Sequence, residues 1–200
     1  MTQIPPITKQ QQKSLATKRR IFHAAREIFQ RDGYENLSIK NICAVAGVST
    51  GSFYHHFSSK DDLLSYYIEE QPGIVTNSLA IPKTWGEAKD AIIEIYLNYV
   101  KYCRELGVAF VSNYYTPKNQ SLNPVTRSKR PYPILSVRSF LEKALSDGAL
   151  TLKYDLEQTL TDIRMIVIGN VFEWCLMNGA TDFEGNMSRS LGIYLDGLFH

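Results

Sequence analysis

The residues 49-STGSFYHHFSSK-60 concentrate hydrogen-bonding side chains in one short run: Ser49, Thr50, Ser52, Tyr54, His55, His56 and Lys60. At the 100° spacing of a helix begun at Ser49, Phe53 and Phe57 stack on one edge, while Gly51, Ser52 and His55 point roughly the other way. That divides the run into a buried ring edge and an exposed edge of small and polar groups. Thr50, Ser52 and His55 can offer hydrogen bonds to base edges, and the missing side chain of Gly51 lets the helix backbone lie close to a surface. Tyr54 and His56 flank the ring edge, each able to bury its ring and keep a polar tip wet. The surface such an edge fits is a DNA groove. Lys60, Lys18, Arg19, Arg20 and Lys40 are the cations that would straddle the groove and pair with phosphates.

Other chemistry finds less support. The adjacent histidines diverge on a helix and have no third ligand near them in sequence, so no metal is expected. No GxSxG, HExxH, P-loop or GxGxxG stretch occurs, so no catalytic residue and no cofactor is assigned. Three cysteines, Cys43, Cys103 and Cys175, are widely spaced and odd in number, which supports neither a disulfide framework nor a CxxC pair. Cytoplasmic location is the simplest setting. The first twenty residues lack a secretory apolar core, and the most apolar segment, residues 165–180, is interrupted by Asn170 and Glu173, so no membrane association is expected.

Charge agrees with a polyanionic partner. The net +2 over 200 residues conceals nine basic against three acidic side chains in residues 1–60, about +6, which leaves about −4 for the rest.

The elements that must position these groups are helices. Residues 1–13 are Gln-rich and Pro-containing and read as a flexible arm. From about Ser14 to Arg31, Ile21, Ala24, Ala25, Ile28 and Phe29 recur at helical spacing before Gly33. Ser38 can cap a second helix ending at Gly47, and Ser49 a third, so 46-AGVS-49 is the tight link of a helix-turn-helix. A fourth helix follows Ser58 or Ser59, ending before 72-PG-73. Longer helices follow over Trp85–Leu106, 108–115, 134–146, 155–179 and 184–199. Between them 116-TPKNQSLNPVTRSKRPYP-133 reads as a long loop. No period-2 strand stands out. The predicted fold is all-α, with a helix-turn-helix DNA-binding domain over 14–70 and a larger helical domain over 74–200.

The stretch 37-LSIKNICAVAGVSTGSFYHHFSSKDDLL-64 resembles the helix-turn-helix signature of the TetR (tetracycline-repressor) family of bacterial transcriptional regulators. Ile42, Ala46, Gly47, Val48, Ser49, Gly51, Phe53, Tyr54, His56, Phe57, Lys60 and Leu63 fall in register; Ser38 replaces the usual Thr and Cys43 a small Ala. The resemblance implies a homodimer that binds palindromic double-stranded operator DNA, and a C-terminal domain that holds a small-molecule effector and releases the DNA. It places Tyr54 and Lys60 at phosphate-gripping positions and Thr50, Ser52 and His55 at base-reading ones.

In the second domain Tyr96, Tyr99, Cys103, Phe110, Tyr114, Phe140, Asn170 and Trp174 are the candidate effector-lining residues, and their character favours an apolar or aromatic ligand. The last two helices hold more apolar residues than one face needs. Ile163, Ile166, Val167, Val171, Trp174, Ile193, Leu195, Leu198 and Phe199 are expected to pack against a second copy. The helix from Lys60 to Glu70 is the expected lever between ligand and DNA, and the loop 116–133 a gate. A helix-turn-helix adaptor without an effector is the alternative.

Overall fold

The computed structural model describes residues 8–60, 62, 63, 66, 82–116, 134–148 and 150–198. Every regular element among them is a helix, in accord with the all-α expectation. Contacts divide the chain into two units, Met1–Tyr67 and Ile68–His200.

In the first unit α1 spans Lys9–Asp32. It begins five residues before the expected Ser14, so the predicted arm reaches into helix. The cause is a reciprocal cap: the Gln11 N–H donates to Thr8 Oγ1 at 3.2 Å and the Thr8 N–H to Gln11 Oε1 at 2.8 Å. Two of the helix's orphan donors are satisfied this way, and that local gain opposes the disorder suggested by composition. Ile21, Ala25 and Ile28 form its buried stripe. Gly33, at φ 79°, ends the helix and leads into a 3₁₀ turn over Tyr34–Asn36. α2 spans Ile39–Ala46 and α3 Thr50–His56. Ile42, Phe53, Phe57 and Leu63 close the core over α1. Helical backbone resumes at Lys60. Its expected run through Leu64, Tyr67 and Ile68 to 72-PG-73, and with it the lever, lies largely outside the described residues, as do residues 1–7, the loop beyond Thr116, and Phe199.

The second unit is built on α4, Trp85–Leu106, with α5 over Val108–Tyr114, α6 over Ile134–Ser146, α7 over Leu156–Leu176 and α8 over Phe183–Asp196. Thr84, Asp155 and Asp182 cap α4, α7 and α8 through side-chain oxygens that accept backbone N–H groups. Polar clips at opposite ends fix α8 antiparallel to both neighbours. Arg104 meets Glu184 through two 2.7 Å contacts and Lys89 meets Asp196 at 2.5 Å, joining α4 to α8. Asn170 with Ser190 at 2.9 Å and Tyr194 with Asp162 at 2.9 Å join α7 to α8.

Between these clips Met187, Leu191 and Leu195 pack with Ile92, Ile163, Val167 and Val171 in the core. Each such side chain contributes about 1.5–3 kcal/mol on full burial, more than an exposed ion pair. This corrects the expectation for a second copy. Ile163, Val167, Val171, Trp174, Leu195 and Leu198 are buried within their own unit; of the named set Ile193 is exposed.

Candidate functional site

The geometry of α3 follows from the turn before it. Gly47 sits in the left-handed region at φ 62°, ψ 43°, and its N–H returns to the carbonyls of Cys43 and Ala44. A side chain there would be strained, which is why the link takes glycine. Val48 N–H then donates to the Cys43 carbonyl at 3.0 Å, and the Ser49 hydroxyl accepts the Ser52 N–H at 3.1 Å to start α3. Ser38 caps α2 in the same manner, accepting from the Asn41 N–H at 3.1 Å. Both capping hydroxyls keep a proton to donate to an incoming acceptor.

With Phe53 and Phe57 fully buried, α3 presents Thr50, Gly51, Tyr54 and His55 outward, Tyr54 being 56% exposed. Ser52 and His56 are half-buried at its sides. Gly51 is informative because its backbone is helical and a Cβ would meet nothing nearer than Ser49 Oγ at 3.8 Å. Nothing inside the unit requires glycine there. The bare backbone leaves the start of α3 open to close approach from outside.

The cations are arranged less simply than their sequence positions suggest. Arg19, Arg20 and Lys40 are exposed. Lys18 instead lies over the rings of Tyr66 and Phe57, its Nζ 3.8 and 5.4 Å from their centroids. Lys60 Nζ sits 4.0 Å from the centroid of Tyr34. Such contacts hold a flexible side chain in place. Lys18 bears on His56 as well: burial first, then the charge of His55, then Lys18 itself, push the His56 imidazole below its ordinary pKa and favour the neutral ring. The His55 and His56 rings meet edge-on at 5.0 Å.

In the second unit the candidate lining residues Tyr96, Tyr99, Cys103, Phe110, Tyr114, Phe140 and Trp174 are all buried. Tyr99 and Cys103 of α4 come together with Tyr114 and with Tyr115. The Tyr99 and Tyr115 hydroxyls share a short hydrogen bond, and the Tyr114 and Tyr115 rings meet edge-on at 4.9 Å. Burial pushes the Tyr99 hydroxyl well up and the Cys103 thiol up to about 12, so both stay protonated. Asn170 bridges the Ile166 carbonyl and Ser190 Oγ along the seam of α7 and α8, and Trp174 stacks on Phe183 at 4.9 Å.

Residues 165, 172 and 176 are exposed where the sequence reading named no contact, and Ile193, which it did name, is exposed as well. Met165 (66% exposed), Phe172 (56%) and Leu176 (66%) line one side of α7, and Ile193 (69%) stands out on α8. No helix among the described residues is long and apolar enough to cross a membrane.

Residues 21–67 match the family model described as bacterial regulatory proteins, tetR family. The chain is 34% identical over 95 residues to the transposon Tn10 TetC protein of Escherichia coli, an overlap of 46% of this chain and 48% of that one. It is 46% identical over 52 residues to the HTH-type transcriptional regulator UidR of Escherichia coli K12, 26% of each chain. The matched part thus spans half or less of these curated relatives. The fold is similar to that of Thermus thermophilus FadR, a TetR-family transcriptional repressor crystallised with lauroyl-CoA: TM-score 0.67, 20% identity, 92% of this chain and 95% of that one.

Proposed function

The chain belongs, through residues 21–67, to the tetR family of bacterial regulatory proteins, and from that premise we propose that it is a ligand-responsive repressor. It binds palindromic operator DNA as a homodimer and lets go when a small-molecule effector enters the C-terminal domain. The observation that carries the reading is the open edge of α3, where Thr50, Gly51 and His55 face outward over a sealed ring core. Thr50, Ser52 and His55 read bases. Ser38, Ser49, Tyr54, His56, Lys40, Lys60 and the Lys18–Arg20 cluster hold phosphates, Lys18 and Lys60 after leaving their ring seats. DNA binding resides in residues 14–70, effector binding and dimerisation in 74–200, and the protein works in the cytoplasm.

The effector we infer is apolar or aromatic with one polar group. The supporting features are the buried rings of Tyr96, Phe110, Tyr114 and Phe140 and the hydrogen-bonded hydroxyls of Tyr99 and Tyr115. A fold relative, Thermus thermophilus FadR, is described in complex with lauroyl-CoA, whose lauroyl chain alone parallels this chemistry, since the coenzyme A part is multiply charged. Moving a dimer from mostly DNA-bound to mostly released takes about 3–5 kcal/mol of differential affinity, within reach of such a ligand.

Selection of bound duplexes from random DNA tests the reading. A palindromic consensus is expected, its central bases changing with Thr50→Ala or His55→Ala, while Lys60→Ala weakens every sequence alike. A flat selection at low salt would overturn it. Thermal-shift screening followed by operator release tests the ligand, and release by multiply charged compounds alone would refute its proposed chemistry.

A further inference from the structure

The outer face of α7 and α8 carries two charges of opposite sign beside its exposed apolar side chains. At 100° per residue Met165, Gly169, Phe172 and Leu176 fall within about 60° of one another on α7, opposite the buried Ile163, Val167 and Val171. The exposed Glu173 lies about 60° from Leu176, on the side of Asn170, which bonds Ser190 of α8. On α8 the exposed Ile193 and Arg189 lie about 40° apart, opposite the buried Leu191. Because the two helices pack side by side on one core, both turn these residues to the same side.

Other charges of α7 and α8 are engaged within the chain. Asp196 meets Lys89, Glu184 meets Arg104, and Asp162 accepts from Tyr194 and Gln158. Arg189 donates to the neutral Asn186 at 2.8 Å. Among the described residues neither Arg189 nor Glu173 has a partner of opposite charge. An exposed apolar surface with one acid and one base beside it suits a copy of itself, since a two-fold axis sets each charge against its opposite.

The spacing agrees. The bonds of Asn170 to Ser190 and Tyr194 to Asp162 hold α8 antiparallel to α7, so a two-fold axis normal to this face lays α8 of a second copy along α7 in the same direction. Glu173 precedes Leu176 by about 4.5 Å of rise, and Arg189 precedes Ile193 by about 6 Å. An axis that seats Leu176 on Ile193 of the second copy therefore also brings Glu173 level with its Arg189, to within about 1.5 Å of rise. We propose that this face takes a second copy of the chain with Glu173 of each copy on Arg189 of the other, and that these two pairs set the register and the choice of partner. The inference rests on the homodimer reading above and names what selects the partner. A chain of the same fold with a like charge at either position is disfavoured.

The test uses the full chain without DNA. Wild type should sediment as a dimer. Glu173→Arg alone and Arg189→Glu alone each set like charges together at both pairs and should raise the dimer dissociation constant about tenfold to a hundredfold at low salt. Both positions are exposed, so helical content should not change. Glu173→Gln, which removes a charge without repulsion, should weaken the dimer less than either reversal. Glu173→Arg/Arg189→Glu in one chain should restore it. The two single variants mixed as separate chains should pair with each other, because each mixed dimer holds two contacts of opposite charge. Native mass spectrometry should show mixed dimers well above random pairing, an excess that fades at high salt. Random pairing in the mixture beside a dimeric wild type would overturn the proposal and leave the dimer resting on its apolar residues. Rescue in the doubly changed chain without pairing in the mixture would also overturn it, placing the charge pair within one copy. A monomeric wild type would remove the homodimer reading beneath it.

Discussion

His56 shows how much one side chain's surroundings decide. Its burial, with His55 and Lys18 beside it, favours the neutral imidazole, whereas phosphates arriving at α3 favour the charged one. Binding should therefore take up a proton, and operator affinity should rise as pH falls from about 8 toward about 6. The fold responds in the opposite sense. A histidine whose folded pKa is depressed contributes stability that is complete above its unfolded pKa, roughly 6.5, and is lost as pH falls through the folded value. Affinity titrations across that range should show the rise in wild type and a smaller one in His56→Gln; identical pH profiles would exclude His56 as the group responsible. The ring edge of Phe53 and Phe57 was legible because helical spacing sorts neighbours by face. The seat of Lys18 over Tyr66 was not, because a contact between residues far apart in sequence leaves no local pattern.

Among the elements, the tight link between α2 and α3 and the end of α7 allow a controlled comparison. Gly47 and Gly179 both lie at positive φ, 62° and 83°, but a Cβ at 47 meets nothing within 4 Å while one at 179 comes 3.0 Å from Val108 Cγ2. Gly47→Ala should therefore cost only backbone strain, about 1–2 kcal/mol, and Gly179→Ala more than that. Denaturant midpoints would show the order, and the reverse order would contradict the packing at Val108. Ser49→Ala, which removes the cap of α3, should cost about 1 kcal/mol by the same measurement. Such caps and stops were readable from single residues: Ser38, Ser49, Gly33 and Gly47 each act where their chemistry suggests. The start of α1 was misjudged because a two-residue reciprocal bond at Thr8 and Gln11 outweighed a Gln- and Pro-rich composition.

At the scale of the molecule, the question is which apolar residues face inward. α7 is apolar nearly all round, so its sequence announces burial on more than one side without saying which residues serve which. Ile163, Val167, Val171 and Trp174 fill the unit's own core, and Met165, Phe172 and Leu176 emerge on another side with Gly169 between them, where a Cβ would meet nothing within 4 Å. With Ile193 of α8, that exposed surface is the one we propose meets its counterpart across a two-fold axis, and the open Gly169 would let two helices approach closely. The two sets should separate cleanly on mutation. Ile163→Ala should destabilise the fold by about 2–5 kcal/mol, as buried truncations do. Phe172→Glu should leave the helical content nearly unchanged, lower the denaturant midpoint only by the concentration-dependent share that association contributes, and give monomers in sedimentation. A monomer presents one reading helix in place of two, so its operator affinity should fall by roughly 10²–10⁴, the gain that linkage of two heads provides. A Phe172→Glu protein that still sediments as a dimer would move the interface elsewhere, and a monomer that binds the palindrome at full affinity would show that the two half-sites are not read as a linked pair.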